Sequence, residues 1–340
     1  MLGIVLALSE MNATRPIIIA HRGASGHRPE HTRMAYELAI EQGADIIEPD
    51  LVMSADGHLI VRHENEIGET TDIAERPEYA ARKTVRDIDG VSVTGWFTED
   101  FTLTELKSLR AKERLPHLRP QSAQYDGQDV ILTFEEVLDI AAEATARIGR
   151  TIGVAPELKH PSHFNALGLP IEDRFIEVLE RRGLTTADAH MLVQCFEVGT
   201  LERLSQRIRT PLLQLMQVAG GPVDRPDLTY QQMATPEGLR AISRYAGWIG
   251  VQDTMIIPRD QAHATLPATS LITDAHAAGV KVVVWTFRAE NCFLPYEHRS
   301  NDSPPDHGDL TGYLKRFYAL GVDAVFSDFP DIAVAARSRD

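Results

Sequence analysis

Along much of the chain, apolar residues spaced as on one face of a helix run up to a glycine, and a short, strongly apolar stretch follows. This unit occupies residues 36–43 before 44–51 and residues 175–183 before 191–196. It returns at 271–279 before 280–286 and at 314–321 before 322–327. A glycine just past a helix supplies its left-handed cap, and an apolar run of this length suits a parallel strand buried on both faces. Phe175, Val178 and Leu179 share one side of their segment by i, i+3, i+4 spacing, as do Leu314, Phe317 and Tyr318. Thr133 and Glu136 make a capping box ahead of the apolar stripe Phe134, Val137, Leu138 and Ala141.

Extending the pattern predicts strands at 17–20, 45–51, 152–158, 191–196, 211–216, 248–251, 280–286 and 323–327. Eight strands alternating with helices is the count a closed α/β barrel, the (β/α)8 TIM barrel, requires; an open doubly wound sheet is the alternative. A length of 340 residues accommodates that barrel as a single domain over 1–340. One stretch breaks the alternation. From His63 to Gln128 the chain is polar and irregular, and it reads as a small insertion after the second strand (64–128) with one helix near 103–109, lying over the C-terminal mouth. Residues 297–309 form a second expected loop over the same mouth.

Composition narrows the class without naming a chemistry. Apolar residues make up 43% and the formal charge is −15, which argues against nucleic acid or an anionic membrane as main partner, since both call for a cationic face. The two cysteines, Cys195 and Cys292, lack the spacing of zinc or redox motifs and read as free thiols. No apolar run reaches the ~18 residues of a transmembrane segment. Residues 1–8 are apolar but too short and uncharged for a secretory leader, so the sequence as written reads as cytoplasmic, and as periplasmic if its start is truncated or mis-assigned. A homodimer is compatible with all of this.

Three polar clusters fall at predicted strand ends, where barrel active sites are built. Ala20-His21-Arg22-Gly23-Ala24 follows the first strand and offers a titratable group beside a fixed cation; a histidine there can also serve merely to cap a loop. In Ile47-Glu48-Pro49-Asp50-Leu51, strand alternation points Glu48 and Asp50 to one face among apolar neighbours. Two carboxylates so placed repel unless a proton or cation joins them, and Mg2+ or Ca2+ would satisfy both through oxygen; solvation at the rim is the bland reading. Pro49 between them cannot donate to a ladder, so a strand end or bulge is expected there. The turn Asp56-Gly57 sends a return strand back to His63, toward the same pair. Glu157-Leu158-Lys159 on the third strand places an anion and a cation on one face next door, as a structural salt bridge or as a third oxygen ligand with its neighbour. Three carboxylates, two histidines, an arginine and a lysine at one mouth suit phosphoryl chemistry: cations take up charge on phosphate oxygens, and imidazoles exchange protons near neutrality.

With those residues in place, the sequence strongly resembles the glycerophosphodiester phosphodiesterases, in particular their bacterial, often periplasmic branch. The likeness rests on residues 20–26 with Pro29-Glu30-His31-Thr32, then Gly43-Ala44-Asp45, Glu48-Pro49-Asp50, Asp56-Gly57 and His63. It continues through Glu157-Leu158-Lys159, Val193-Gln194-Cys195-Phe196, Val284-Trp285-Thr286, Gly321-Val322-Asp323 and Phe326-Ser327-Asp328, in order along nearly the whole chain. The resemblance implies one divalent cation, Ca2+ or Mg2+, on Glu48, Asp50 and Glu157. It implies His21 and His63 as general base and acid, and Arg22 and Lys159 as the groups that neutralise phosphoryl oxygens. Gln194 and Trp285 would line the pocket, Trp285 against the glycerol carbons. The expected substrate is a small glycerophosphodiester such as glycerophosphocholine or glycerophosphoethanolamine, released as sn-glycerol 3-phosphate and an alcohol. In the family an insertion after this histidine marks the class and shapes the alcohol pocket. One departure stands out: the family usually has His-Asp where this chain has His63-Glu64, so the supporting carboxylate is one methylene longer. The rival readings are a lysophospholipase D or sphingomyelinase D-like phosphodiesterase, which needs a groove for a lipid tail, and a barrel that binds phospho-ligands or a host protein without turnover.

Overall fold

The structure is a computed structural model that describes residues 15–337; the leader reading of residues 1–8 lies outside the described residues. In chain order its strands are β1 (Ile17–His21), β2 (Ile46–Glu48), β3 (Asp50–Met53), β4 (Leu59–Val61), β5 (Thr84–Ile88) and β6 (Val91–Gly95). They continue with β7 (Gly153–Val154), β8 (Glu157–Leu158), β9 (Val193–Cys195), β10 (Leu212–Met216), β11 (Trp248–Gln252), β12 (Lys281–Phe287) and β13 (Ala324–Ser327). Every predicted strand is present.

Two of the predicted strands are broken by proline. β2 and β3 flank Pro49, and β7 and β8 flank Ala155-Pro156. Proline withholds a donor from the ladder, yet the pairing carries on across both breaks. The amides of Ala155, Glu157 and Lys159 donate to the carbonyls of Ile47, Pro49 and Leu51 at 2.9, 2.9 and 3.0 Å. With each broken pair counted as one, eight parallel positions run from β1 through β2/β3, β7/β8, β9, β10, β11, β12 and β13, and β13 pairs with β1 again. The sheet is thus closed, with helices between strands on its outer side, among them Arg33–Glu41, Phe134–Ile148, Ile171–Arg182 and Leu310–Ala319. Thr133 and Glu136 form the expected capping box, and Gly183 ends its helix in the left-handed conformation.

Strand alternation divides the apolar residues into two cores. The larger lies between sheet and helices and includes Ile18, Ile47, Phe134, Phe175 and Phe317. The smaller fills the barrel, with Ile17 and Ile19 of β1, Ile46 of β2, Leu213 and Leu215 of β10, Trp248, Val283 and Phe326. Going up each strand by two residues from this plug reaches His21, Glu48 and then Asp50, so the polar clusters sit on the interior face above a dry floor.

Residues 64–128 hold the β5–β6 hairpin and the helix Leu103–Ser108, close to the one expected. The segment is not merely a polar loop, because Ile67, Ile73, Phe101, Leu106 and Leu109 join the outer core. The 297–309 loop folds beside the mouth: the Asn291 amide donates to Ser300, Asn301 and Ser303, and the His307 ring packs on Phe329 just past β13. Cys195 is buried, Cys292 is exposed, and both are free. Among the described residues no helix is long and apolar enough to cross a membrane.

The turn after β1 tolerates little change. Gly23 has φ +86°, and a Cβ there would lie 2.7 Å from the carbonyl carbon of Ala35. Gly23→Ala is therefore expected to destabilise the fold by about 2 kcal/mol or more, from left-handed strain plus a clash with helix backbone. Urea unfolding checks this; an unchanged midpoint would mean the turn relaxes freely.

Candidate active site

Parallel register sets the polar groups side by side at the C-terminal end of the barrel. His21 pairs with Glu48 across β1 and β2, Asp50 with Glu157 across β3 and β8, and Glu157 with Gln194 across β8 and β9. One carboxylate oxygen from each of Glu48, Asp50 and Glu157 lies within 4.8 Å of the others, and all three side chains are buried. Burial and the neighbouring Asp50 push Glu48 well above the usual carboxylate range. Burial, with Asp50 adding to it, lifts Glu157 to about 7. Asp50 goes the other way: burial is outweighed by its hydrogen bond to His31 and the charges of His63 and Arg22, which hold it well below the usual range.

Arg22 is bent into this cluster by a left-handed backbone (φ +58°). Its amide donates to Glu48 at 2.8 Å, its Nε lies 3.3 Å from Asp50, and its Nη1 donates to Glu30 at 3.0 Å. Lys159 Nζ donates to Glu157 at 2.9 Å and stands 3.4 Å from His63 Nε2. Gln194 Nε2 donates to Glu48 and to the Ala155 carbonyl, both at 3.1 Å, so it braces a carboxylate as well as lining the cavity floor. Trp285 meets Phe196 edge-on across the opening, at 6.0 Å between rings.

Each histidine has its own carboxylate. His21 Nδ1 lies 2.6 Å from Asp328 and His63 Nδ1 lies 2.8 Å from Glu64. Both carboxylates stay ionised well below their usual range: burial opposes this, but Arg288, Arg119 and His21 act on Asp328, and His160 and His63 on Glu64. Each Nδ1 therefore carries a proton and each Nε2 is left as the reactive nitrogen. Burial, then the charge of Arg22, lowers His21 to about 4; burial, then Arg22 and Lys159, lowers His63 to about 3.

A cavity of about 280 Å³ collects His21, Arg22, Glu48, His63, Glu157, Lys159, Gln194 and Trp285. All the candidate residues named from sequence thus converge, except that Asp50 lies beneath the lining, behind Arg22 and His31. Sequence reasoning missed the layer behind them. His31 bridges Asp50 and the Tyr36 hydroxyl at 2.8 Å each. Asp328, two positions beyond the interior Phe326, is clamped by Arg119 and Arg288 at 2.6 and 2.9 Å. His31 and Asp328 stood within the quoted motifs, and period-two alternation from Phe326 points to Asp328. Arg119, in an irregular segment, carries no such signal.

The sequence model of the Glycerophosphoryl diester phosphodiesterase family matches residues 21–332. A glycerophosphodiester phosphodiesterase of Arabidopsis thaliana is 35% identical over 334 residues, covering 94% of this chain and 85% of its own length. One from Haemophilus influenzae is 27% identical over 353 residues, with 97% and 91% covered. Among solved structures, one from Silicibacter pomeroyi DSS-3 has a TM-score of 0.67 at 19% identity, covering 96% of this chain and 94% of that one. An Oleispira antarctica phosphodiesterase in complex with the product sn-glycerol-3-phosphate has a TM-score of 0.60 at 20% identity, covering 95% and 96%. The solved structures share the fold; the family match, spanning all the polar clusters described above, goes further, and this chain belongs to the glycerophosphoryl diester phosphodiesterase family.

Proposed function

We propose that this protein hydrolyses small glycerophosphodiesters, glycerophosphocholine and glycerophosphoethanolamine among them, to sn-glycerol 3-phosphate and an alcohol. The observation that carries the reading is a single mouth in which two buried carboxylates, two cations and two carboxylate-backed imidazoles face one cavity, with the third carboxylate, Asp50, directly beneath. We take residues 1–340 as one domain and 64–128 as the insertion that covers its mouth.

Glu48, Asp50 and Glu157 suit one divalent cation, Ca2+ or Mg2+. Their donors are all hard oxygens, and Asp50 Oδ1 is buried with no hydrogen-bond donor. Such an ion, when bound, would polarise the phosphoryl oxygens. Arg22 and Lys159 face the same cavity and would hold the non-bridging oxygens of the diester. The negative charge of the diester, arriving between those two cations, offsets the field that keeps the imidazoles neutral and favours a proton on one of them. Trp285 gives the glycerol carbons an apolar wall on the His21 side. His63 stands beside Lys159, which together with Glu157 and Phe196 also lines an adjoining cavity of about 450 Å³ that reaches Tyr230; we place the departing alcohol there. His21 Nε2 takes the proton of the attacking oxygen as the new P–O bond forms. His63 Nε2 gives a proton to the alcohol oxygen as the old bond breaks.

The reading predicts release of choline from glycerophosphocholine, lost on chelation, recovered with Ca2+ or Mg2+, and abolished in His21→Ala. Faster turnover of lysophosphatidylcholine than of glycerophosphocholine would place the protein among lipid-tail enzymes instead. Glu48→Gln fixes this side chain in the neutral form toward which its surroundings already drive it, so without metal it should melt at or above the wild-type temperature. It should also lose the rise in melting temperature that Ca2+ or Mg2+ produces, along with turnover. An undiminished metal-induced rise in Glu48→Gln would put the ion elsewhere.

Asp328→Asn should lower kcat by about 100-fold or more through the wrong His21 tautomer. It should also cost about 3 kcal/mol of unfolding free energy at neutral pH, because Arg119 and Arg288 lose their counter-charge. Asp328 is held below its usual range, so its contribution is present above the unfolded aspartate value and lost as pH falls below it; the gap to wild type should narrow there. Denaturation curves at neutral and acid pH measure that gap, and a gap that widens on acidification contradicts the assignment.

A further inference from the structure

Glu64 is half exposed and one methylene longer than an aspartate, a poor choice for holding an imidazole still unless something fixes its second oxygen. That oxygen, Oε2, lies 3.3 Å from His160 Nε2, and His160 Nδ1 lies 2.6 Å from Asp89 Oδ2. Asp89 comes from the inserted segment. With Gly90 it forms the two-residue turn of the β5–β6 hairpin, both residues at positive φ (52° and 83°), which is the geometry of a tight hairpin turn. Along its strands Val85 and Val91 are 60% and 62% exposed, and of the strand apolar residues only Ile88, next to the tip, is buried. Arg86 ties its middle to Asp100, and the Asp89–His160 pair ties its tip.

His160 itself sits in a left-handed conformation (φ +48°, ψ +46°) directly after Lys159 and ahead of Pro161. A non-glycine residue held there costs energy that the surroundings must offset, and such strain gathers where a side chain has to be aimed. The groups alternate in sign: Asp89 carboxylate, His160, Glu64 carboxylate, His63 imidazole. Burial acts to neutralise His160, but its bonds to Asp89 and Glu64 prevail and raise it to about 9, so it is a cation at neutral pH.

We propose that Asp89, acting through His160 and Glu64, is a positioning residue for His63, so that the inserted hairpin completes one half of the acid–base pair. The inference rests on the acid role given to His63 above. Without Asp89, His160 loses the contact that orients its ring, Glu64 is free to swing into solvent, and His63 Nε2 is no longer aimed at the departing oxygen. Asp89 and His160 also line the cavity where that alcohol would lie.

The test uses the full chain with saturating divalent cation and two diesters: glycerophosphocholine, whose alkoxide must be protonated, and glycerophospho-p-nitrophenol, whose leaving group needs no proton. Asp89→Asn is expected to lower kcat on glycerophosphocholine by about tenfold or more with KM changed less than about twofold, and to lower kcat on the nitrophenyl diester far less. His160→Asn, which breaks the same chain from the barrel side, should give the same pattern. In a His63→Ala background Asp89→Asn should have no further effect. Equal losses on both diesters, or a loss that persists at full size without His63, would overturn the positioning role. If His63→Ala itself lost both diesters equally, the acid assignment would fall, and the double mutant would still decide whether Asp89 acts through His63. Melting curves separate either result from misfolding.

Discussion

Three carboxylates on neighbouring strands cannot share the inside of a barrel without positive charge among them, and the mouth of this protein is arranged around that repulsion. Arg22 answers part of it from a bent turn, with its amide on Glu48 and its guanidinium on Asp50. Lys159 answers another part by folding back on Glu157. What remains is split unevenly: Asp50 is kept ionised by His31 and the nearby cations, whereas Glu48 and Glu157 are driven toward the neutral form. Under the function proposed above, a divalent ion would take the place of those protons, and the same two cations would be available to a phosphate.

The barrel makes such crowding tolerable by what lies beneath it. Ile17, Ile19, Ile46, Leu213, Val283 and Phe326 fill the lower interior, so the polar layer rests on a packed floor that cannot collapse to relieve strain. The proline breaks at Pro49 and Pro156 occur in the two strands that carry the carboxylates. Backbone carbonyls there keep the sheet closed while Glu48, Asp50 and Glu157 still point inward.

A second layer reaches the same groups from outside the barrel. Arg114 joins Arg22 at Glu30, and Arg119 binds Asp328, the partner of His21, together with the Ser25 carbonyl and Glu290. Asp89 reaches toward His63 by way of His160 and Glu64. All three of these residues belong to 64–128, so the segment that interrupts the alternating pattern is also the one that braces the cations and imidazoles of the mouth. Its apolar residues, Phe101 and Leu106 among them, enter the outer core and give those arms a fixed base.

The periodicity of the chain was enough to find eight strands, the glycine caps and the inward alternation of Glu48 with Asp50 and of Glu157 with Lys159, because these follow from neighbours a few residues apart. The same local rule brought His21 and His63 to the strand ends beside them. It could not reveal that Gln194 braces Glu48, that His31 holds Asp50, or that His21 is backed by Asp328, 307 positions away. Nor could it find Asp89, Arg114 and Arg119, which lie in a stretch without helical or strand period. Side-chain identity and spacing determine which groups a strand can offer to the interior. Which carboxylate meets which imidazole depends on barrel closure and on how the insertion docks, and those are decided only when distant segments bury their apolar faces together.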